Sequence, residues 1–447
     1  MLSRIPGIVC VVVALMSTFA SPLFANESTV AAGDESMHEV VRELQEQVAR
    51  QQEELDEQAA RLDEAEARAV GGAASEATSG SSVSRFLEAT EIRSWINVNY
   101  TWNSRGNGNT HIIGQNSNTG FHHDNHSFKV DQLWFQIDKP VSSESRAGFH
   151  TDIAFGETAR NAQLAFGGND SVTVYTAYAS FLAPGGYGGI RIDAGELWTL
   201  IGAEVVPATE NLNITRGMVW NLQPVSHTGA IVSTNLGPFS FAFGAVNAVV
   251  SDSATDTDRN KALTGQIAFT AEKFDIAASF IHGSRIGTIE DSGDPIDDAE
   301  PDGPFFPINN DRGHSDLTMG DLVITGDPTE DTTFYINFTY VWDHPDGAPN
   351  ANTYATAVAG RYALTERTGV ASRYEFVLID PSNGKATDEV SLTFTIDHLV
   401  TDNLTARVEG RFDWGINGKY KKAGTPYSAS RGANHQKLFL AEAIYAF

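Results

Sequence analysis

The chain has 447 residues, a formal net charge of −27, 40 glycines and one cysteine, Cys10. That charge excludes a nucleic-acid binder, whose phosphates demand Lys and Arg. One cysteine near the N-terminus excludes a disulfide framework and a thiolate metal site; no cofactor and no metal are expected.

Residues 1–25 read as an export signal. Arg4 supplies the positive charge, "IPGIVCVVVALMSTFA" supplies the apolar core, and cleavage is expected after Ala25. Leu23 is bulkier than the small residue preferred at that offset, and an uncleaved anchor is the alternative. Further on, no run approaches the roughly 18 apolar residues of a membrane-spanning helix. A membrane would have to be crossed by strands.

Residues 35–70 carry two heptad columns: Val41, Val48, Leu55, Leu62 and Ala69 in one, Met37, Leu44, Gln51, Gln58 and Ala65 in the other. This spacing predicts a coiled-coil seam, with a single solvated helix as the alternative. The seam residues do not distinguish two strands from three. Residues 71–90, including "GGAASEATSGSSVS", read as a flexible linker.

Residues 91–447 read as all-β. Sixteen strands are expected, at 92–103, 128–138, 146–156, 172–183, 189–197, 224–236, 239–250, 261–271, 274–284, 317–326, 332–342, 353–362, 369–379, 389–399, 404–414 and 436–447. In "TTFYINFTYVWD", Phe334, Ile336, Phe338, Tyr340 and Trp342 share one face. In "NLTARVEGRFDW", Leu404, Ala406, Val408, Phe412 and Trp414 face one way, and Arg407, Glu409, Arg411 and Asp413 the other. Apolar outside and wet inside is the pattern of a transmembrane antiparallel β-barrel of about 16 strands, here preceded by a short α-helical coiled coil. Odd-numbered connections are long and even-numbered ones short, as in outer-membrane barrels with long external loops and short periplasmic turns. Both ends of the barrel then lie on the periplasmic side, and with them the coil.

The chain closes on "LFLAEAIYAF". Phe439, Ala441, Ala443, Tyr445 and Phe447 form its outward face. This run resembles the C-terminal signal by which the barrel-assembly machinery recognises bacterial outer-membrane proteins. "SWINVNYTWN", "FKVDQLWFQIDKPVSSESRAGFHTDIAFGET", "IRIDAGELWTLIGAEVVPATENLNITRG" and "PVSHTGAIVS" carry a wider resemblance, to the porin-L-like family of β-barrel porins. The resemblance implies a pore in the bacterial outer membrane, among lipid and lipopolysaccharide, but carries over no specificity residues. It also implies that a coil of this kind holds a homotrimer below the membrane.

The function expected is passive diffusion of small hydrophilic solutes and ions through a water-filled channel. The connection 198–223 is the third external loop, which in general porins narrows the pore. Glu204, Glu210 and Arg216 are its constriction candidates, facing wall residues Arg146, Arg191, Asp193, Arg373, Glu375, Arg407, Glu409 and Arg411. Opposed charges there would set up a transverse field. No GxSxG motif supports a hydrolase, and an enzyme is not expected. The alternative function is a structural one, with the coil tethering outer membrane to cell wall. "FHHDNHS" at 121–127 and the acidic run 285–316 read as polar external loops, because neither has ligand spacing for a metal.

Overall fold

The computed structural model describes residues 89–104, 121–122, 125–164, 171–184, 189–249, 261–284, 315–345, 350–382, 386–415 and 435–447. The export-signal and coiled-coil assignments, the acidic run 285–314, and His123 with Asp124 lie outside the described residues.

Sixteen strands follow in order. They are β1 (Glu91–Asn103), β2 (Ser127–Lys139), β3 (Ala147–Phe155), β4 (Val172–Ala183), β5 (Ile190–Trp198), β6 (Ser226–Leu236), β7 (Phe239–Val246) and β8 (Ala262–Thr270). After them come β9 (Phe274–Ser284), β10 (Ser315–Thr329), β11 (Thr332–Pro345), β12 (Ala351–Thr365), β13 (Thr368–Pro381), β14 (Thr387–Thr401), β15 (Leu404–Gly415) and β16 (His435–Ala446). Neighbours in sequence are neighbours in space, and β16 returns to β1 to close the barrel. Trp95 lies opposite Ala446 and Asn103 opposite Leu438. Closure leaves no unpaired strand edge to recruit another chain.

Period-two patterning decides which face is which. On β11, Phe338 and Trp342 are exposed on the outside, while Asn337, Thr339 and Val341 are buried inside. On β16, Phe439 and Tyr445 point outward and Leu438, Leu440, Glu442 and Ile444 inward. The strand therefore presents an apolar outer side, and its end is stitched to the start of the barrel. Phe447 N–H donates to the Ser94 carbonyl (2.9 Å) and Ser94 N–H to the Phe447 carbonyl (3.2 Å).

Two irregularities re-aim side chains. Between Asn97 and Val98 the β1–β2 register skips Asp131, so Asp131 and Gln132 both turn inward, as a β-bulge allows. On β4 the register with β3 skips Tyr175, and Tyr175 and Thr176 are both buried. One of four two-residue turns joins β6 to β7 through Gly237 and Pro238, where Gly237 takes φ +62°. A glycine adopts that left-handed conformation without steric cost.

One α-helix among the described residues was not legible in the pattern: α1 (Glu157–Leu164), on the second long connection. Gly156, at φ +106°, ends β3. Glu157 then pairs with Arg160 across the first turn at 2.6 Å. Tyr175 Oη donates to the Thr158 carbonyl at 2.9 Å, holding the helix against β4. Such an eight-residue segment is too short for its periodicity to stand out from a loop.

Candidate pore constriction

The third long connection, residues 199–225, does not extend outward from the rim. Its neck is closed by Thr199 N–H donating to the Val225 carbonyl (3.1 Å), and between these points it folds into the barrel. Three stretches of inner wall hold it there.

On β10 and β11, Asp321 accepts the Gly202 N–H at 2.9 Å. Gln223 donates to Asn337 (2.9 Å) and Thr339 (2.8 Å). On β2, Gln132 donates to the Val206 carbonyl at 2.8 Å and accepts the Ala208 N–H at 3.0 Å. The bulge at Asp131 is what turns Gln132 toward the loop.

The third stretch, β13 to β16, carries the charges. Arg373 pairs with Glu204 of the loop, donates to the Thr215 carbonyl at 2.7 Å, and pairs with Glu375 at 3.1 Å. Glu375 accepts the Val219 N–H at 3.0 Å. Glu409 accepts the N–H groups of Ile214 (2.6 Å) and Thr215 (3.1 Å). Arg411 donates to the Arg216 carbonyl at 2.7 Å and pairs with Asp413 at 2.8 Å. Arg407 pairs with Glu442 and donates to the carbonyls of Asn211 (3.0 Å) and Ala208 (3.1 Å). Arg216 turns back on its own loop, donating to the carbonyls of Val205, Ile214 and Val206. The loop runs so close to the wall that a Cβ on Gly217 would lie 2.1 Å from a Glu375 carboxylate oxygen. Any larger residue there would have to displace that carboxylate.

Apolar contacts reinforce these anchors. Met218 and Val219 pack on Tyr335, Ala355, Ala357, Ala359 and Val377, and Ile201 on Val246, Ile281, Leu317 and Met319. His122 is buried and lies 3.3 Å from the Ile214 carbonyl. It therefore belongs to the packing around this loop rather than to a solvated external one.

Arg373, Glu375, Arg407, Glu409 and Arg411 do face inward, as the alternation predicts. They are almost wholly buried, however, because the loop lies over them. Glu204 and Arg216 are likewise committed to hydrogen bonds. Of the three charged loop candidates, only Glu210 is exposed. Arg191 and Asp193 pair on β5 at 2.8 Å, with the guanidinium still partly in solvent. Arg146 does not join the group. It precedes the first residue of β3, where strand alternation no longer applies, and donates to the Leu182 carbonyl beside a short turn.

A second cluster on the wall has no sequence signature. Trp95 stacks on Trp134 (5.4 Å, 8° between planes), which also stacks on Tyr175 (5.2 Å) and Trp198 (6.4 Å). Asp152 accepts both indole N–H groups of Trp134 and Trp198, each at 2.9 Å. Its second neighbour is His150, whose ring lies 2.8 Å from Asp152 and 3.0 Å from Asp138. These residues lie on five strands. Their meeting depends on register, which the sequence does not print.

A family model described as "Putative beta-barrel porin-2, OmpL-like" matches residues 89–447. Curated proteins offer no sequence match. Among solved structures, the chain is similar to the outer-membrane-expressed OmpT of Vibrio cholerae, at 10% identity and a TM-score of 0.52, covering 80% of this chain and 97% of that one. It is similar to the anion-selective porin from Comamonas acidovorans (10% identity, TM-score 0.51, 80% and 99% covered). The trimer form of V. cholerae OmpT matches at 12% identity and a TM-score of 0.52, with 80% and 99% covered.

Proposed function

Because the chain belongs to the family described as "Putative beta-barrel porin-2, OmpL-like", an outer-membrane channel family, we propose that it passes small hydrophilic solutes and ions by diffusion, without chemistry on them. The observation that carries this reading is a closed sixteen-strand wall with an internal loop that still leaves ionisable side chains, Glu210 and Arg191 among them, in solvent inside it. A barrel of this strand number encloses an aqueous lumen unless something fills it.

In this reading the loop 199–225 sets the aperture, with Glu210 as its free charge. The wall charges on β13 and β15 act as anchors. The outward face of β16, with Phe439, Ala441, Ala443, Tyr445 and Phe447, is what the assembly machinery reads. Outer-membrane lipid and lipopolysaccharide surround the wall, and residues 35–70 form a periplasmic coil. Self-association is supported by the trimer form known for one structural neighbour.

The test is planar-bilayer recording on purified full-length protein. Stepwise single-channel openings are expected. A folded barrel that inserts without conducting would overturn the channel and favour the tether.

A further inference from the structure

The water-accessible charges around the loop are not balanced. Among the described residues of the wall nearby, the basic side chains have carboxylates beside them: Arg93 pairs with Glu91 (3.2 Å), Arg191 with Asp193, and His150 sits between Asp138 and Asp152. Glu210 is different. It ends the short 3-10 turn Ala208–Glu210, is exposed, and its carboxylate makes no hydrogen bond or ion pair among the described residues. The groups that act on it electrostatically are Asp152, Arg93 and His150. Two of these, Arg93 and His150, are already held by other carboxylates.

The loop cannot easily move this charge away. The residues around Glu210 are fastened on both sides, with Ala208 bonded to Gln132 and Arg407. Asn211 is bonded to the carbonyls of Val205 (2.8 Å) and Pro207 (2.6 Å) and accepts Arg407 through its own carbonyl. A fixed, unneutralised carboxylate beside an aqueous path attracts cations and repels anions.

We propose that Glu210 makes this channel prefer small cations over anions. The inference rests on the channel reading above and names the solute class for that same aperture. At an effective separation of about 7 Å across water, a unit charge alters the local concentration of a monovalent ion roughly threefold. Because the same charge enriches K⁺ and depletes Cl⁻, Glu210→Gln should lower the K⁺ over Cl⁻ permeability ratio by the square of that factor, roughly tenfold, and Glu210→Lys by roughly tenfold again.

The experiment measures reversal potentials in planar bilayers under a KCl gradient at low ionic strength, where screening is weakest. Wild type, Glu210→Gln and Glu210→Lys are compared, each first shown to fold by its heat-dependent mobility on SDS gels. Because no hydrogen bond or ion pair among the described residues depends on this carboxylate, all three should fold and form open channels. A cation-favouring potential that falls with Gln and falls further with Lys is the expected result. Open channels that favour Cl⁻, or whose reversal potential is the same in all three proteins, overturn the proposal alone. Absence of conductance in folded wild-type protein overturns the channel reading and the proposal with it.

Discussion

Glu210 owes its interest to what surrounds it. Partial enclosure inside the barrel, and then the Asp152 carboxylate, push its carboxyl above the ordinary glutamate range, and Arg93 and His150 work against them. Raising a carboxyl pKa means the charge is lost at a higher pH than in a free glutamate. The groups facing it are Arg93 on β1 and His150 and Asp152 on β3. Cation preference should therefore weaken as pH falls through that raised pKa. In Glu210→Gln this step should disappear, leaving a flatter profile of reversal potential against pH. A wild-type profile without the step would remove Glu210 from the titration. The sequence marks Glu210 as a candidate but cannot separate it from Glu204. Both are glutamates on one loop, and only the fold reveals that Arg373 and the Gly217 N–H occupy Glu204.

At the level of elements, the loop 199–225 behaves as part of the wall. Glu409 alone holds the backbone N–H groups of Ile214 and Thr215, and accepts Thr395 Oγ1 at 2.8 Å as well. Glu409→Ala removes those acceptors and leaves buried donors unsatisfied, a loss on the order of 3–5 kcal/mol for a buried charged network. The expected outcome is a barrel that still assembles but whose single-channel current flickers and widens as the loop detaches. A quiet, unchanged trace would show that the other anchors suffice. Most of the strands were legible because each carries a two-residue alternation, and observed ends lie within a few residues of those expected. The loop's position was less so. "VVPATENLNITRG" has no period, and its docking depends on Arg373, Glu375, Arg407, Glu409 and Arg411. On sequence alone these read as hydrated wall residues, since nothing local says that backbone will cover them.

For the whole molecule, the coil proposed for residues 35–70 should make oligomer state separable from the pore. Removing residues 35–84 is expected to leave conductance per channel unchanged while loosening the proposed trimer, read by cross-linking in detergent. Loss of all conductance on that deletion would make the segment part of the channel itself. The largest structural fact at this scale is the seam, where Ser94 and Phe447 exchange hydrogen bonds and β1 lies along β16. The first strand made has one lateral neighbour at once and must wait for the last to gain its other. Contacts so remote along the chain form slowly. A partly folded polypeptide thus has a raw edge of about ten residues with nothing to zip against. Until β16 arrives and the cylinder can be shut, that edge is open to the matching edge of a sibling chain.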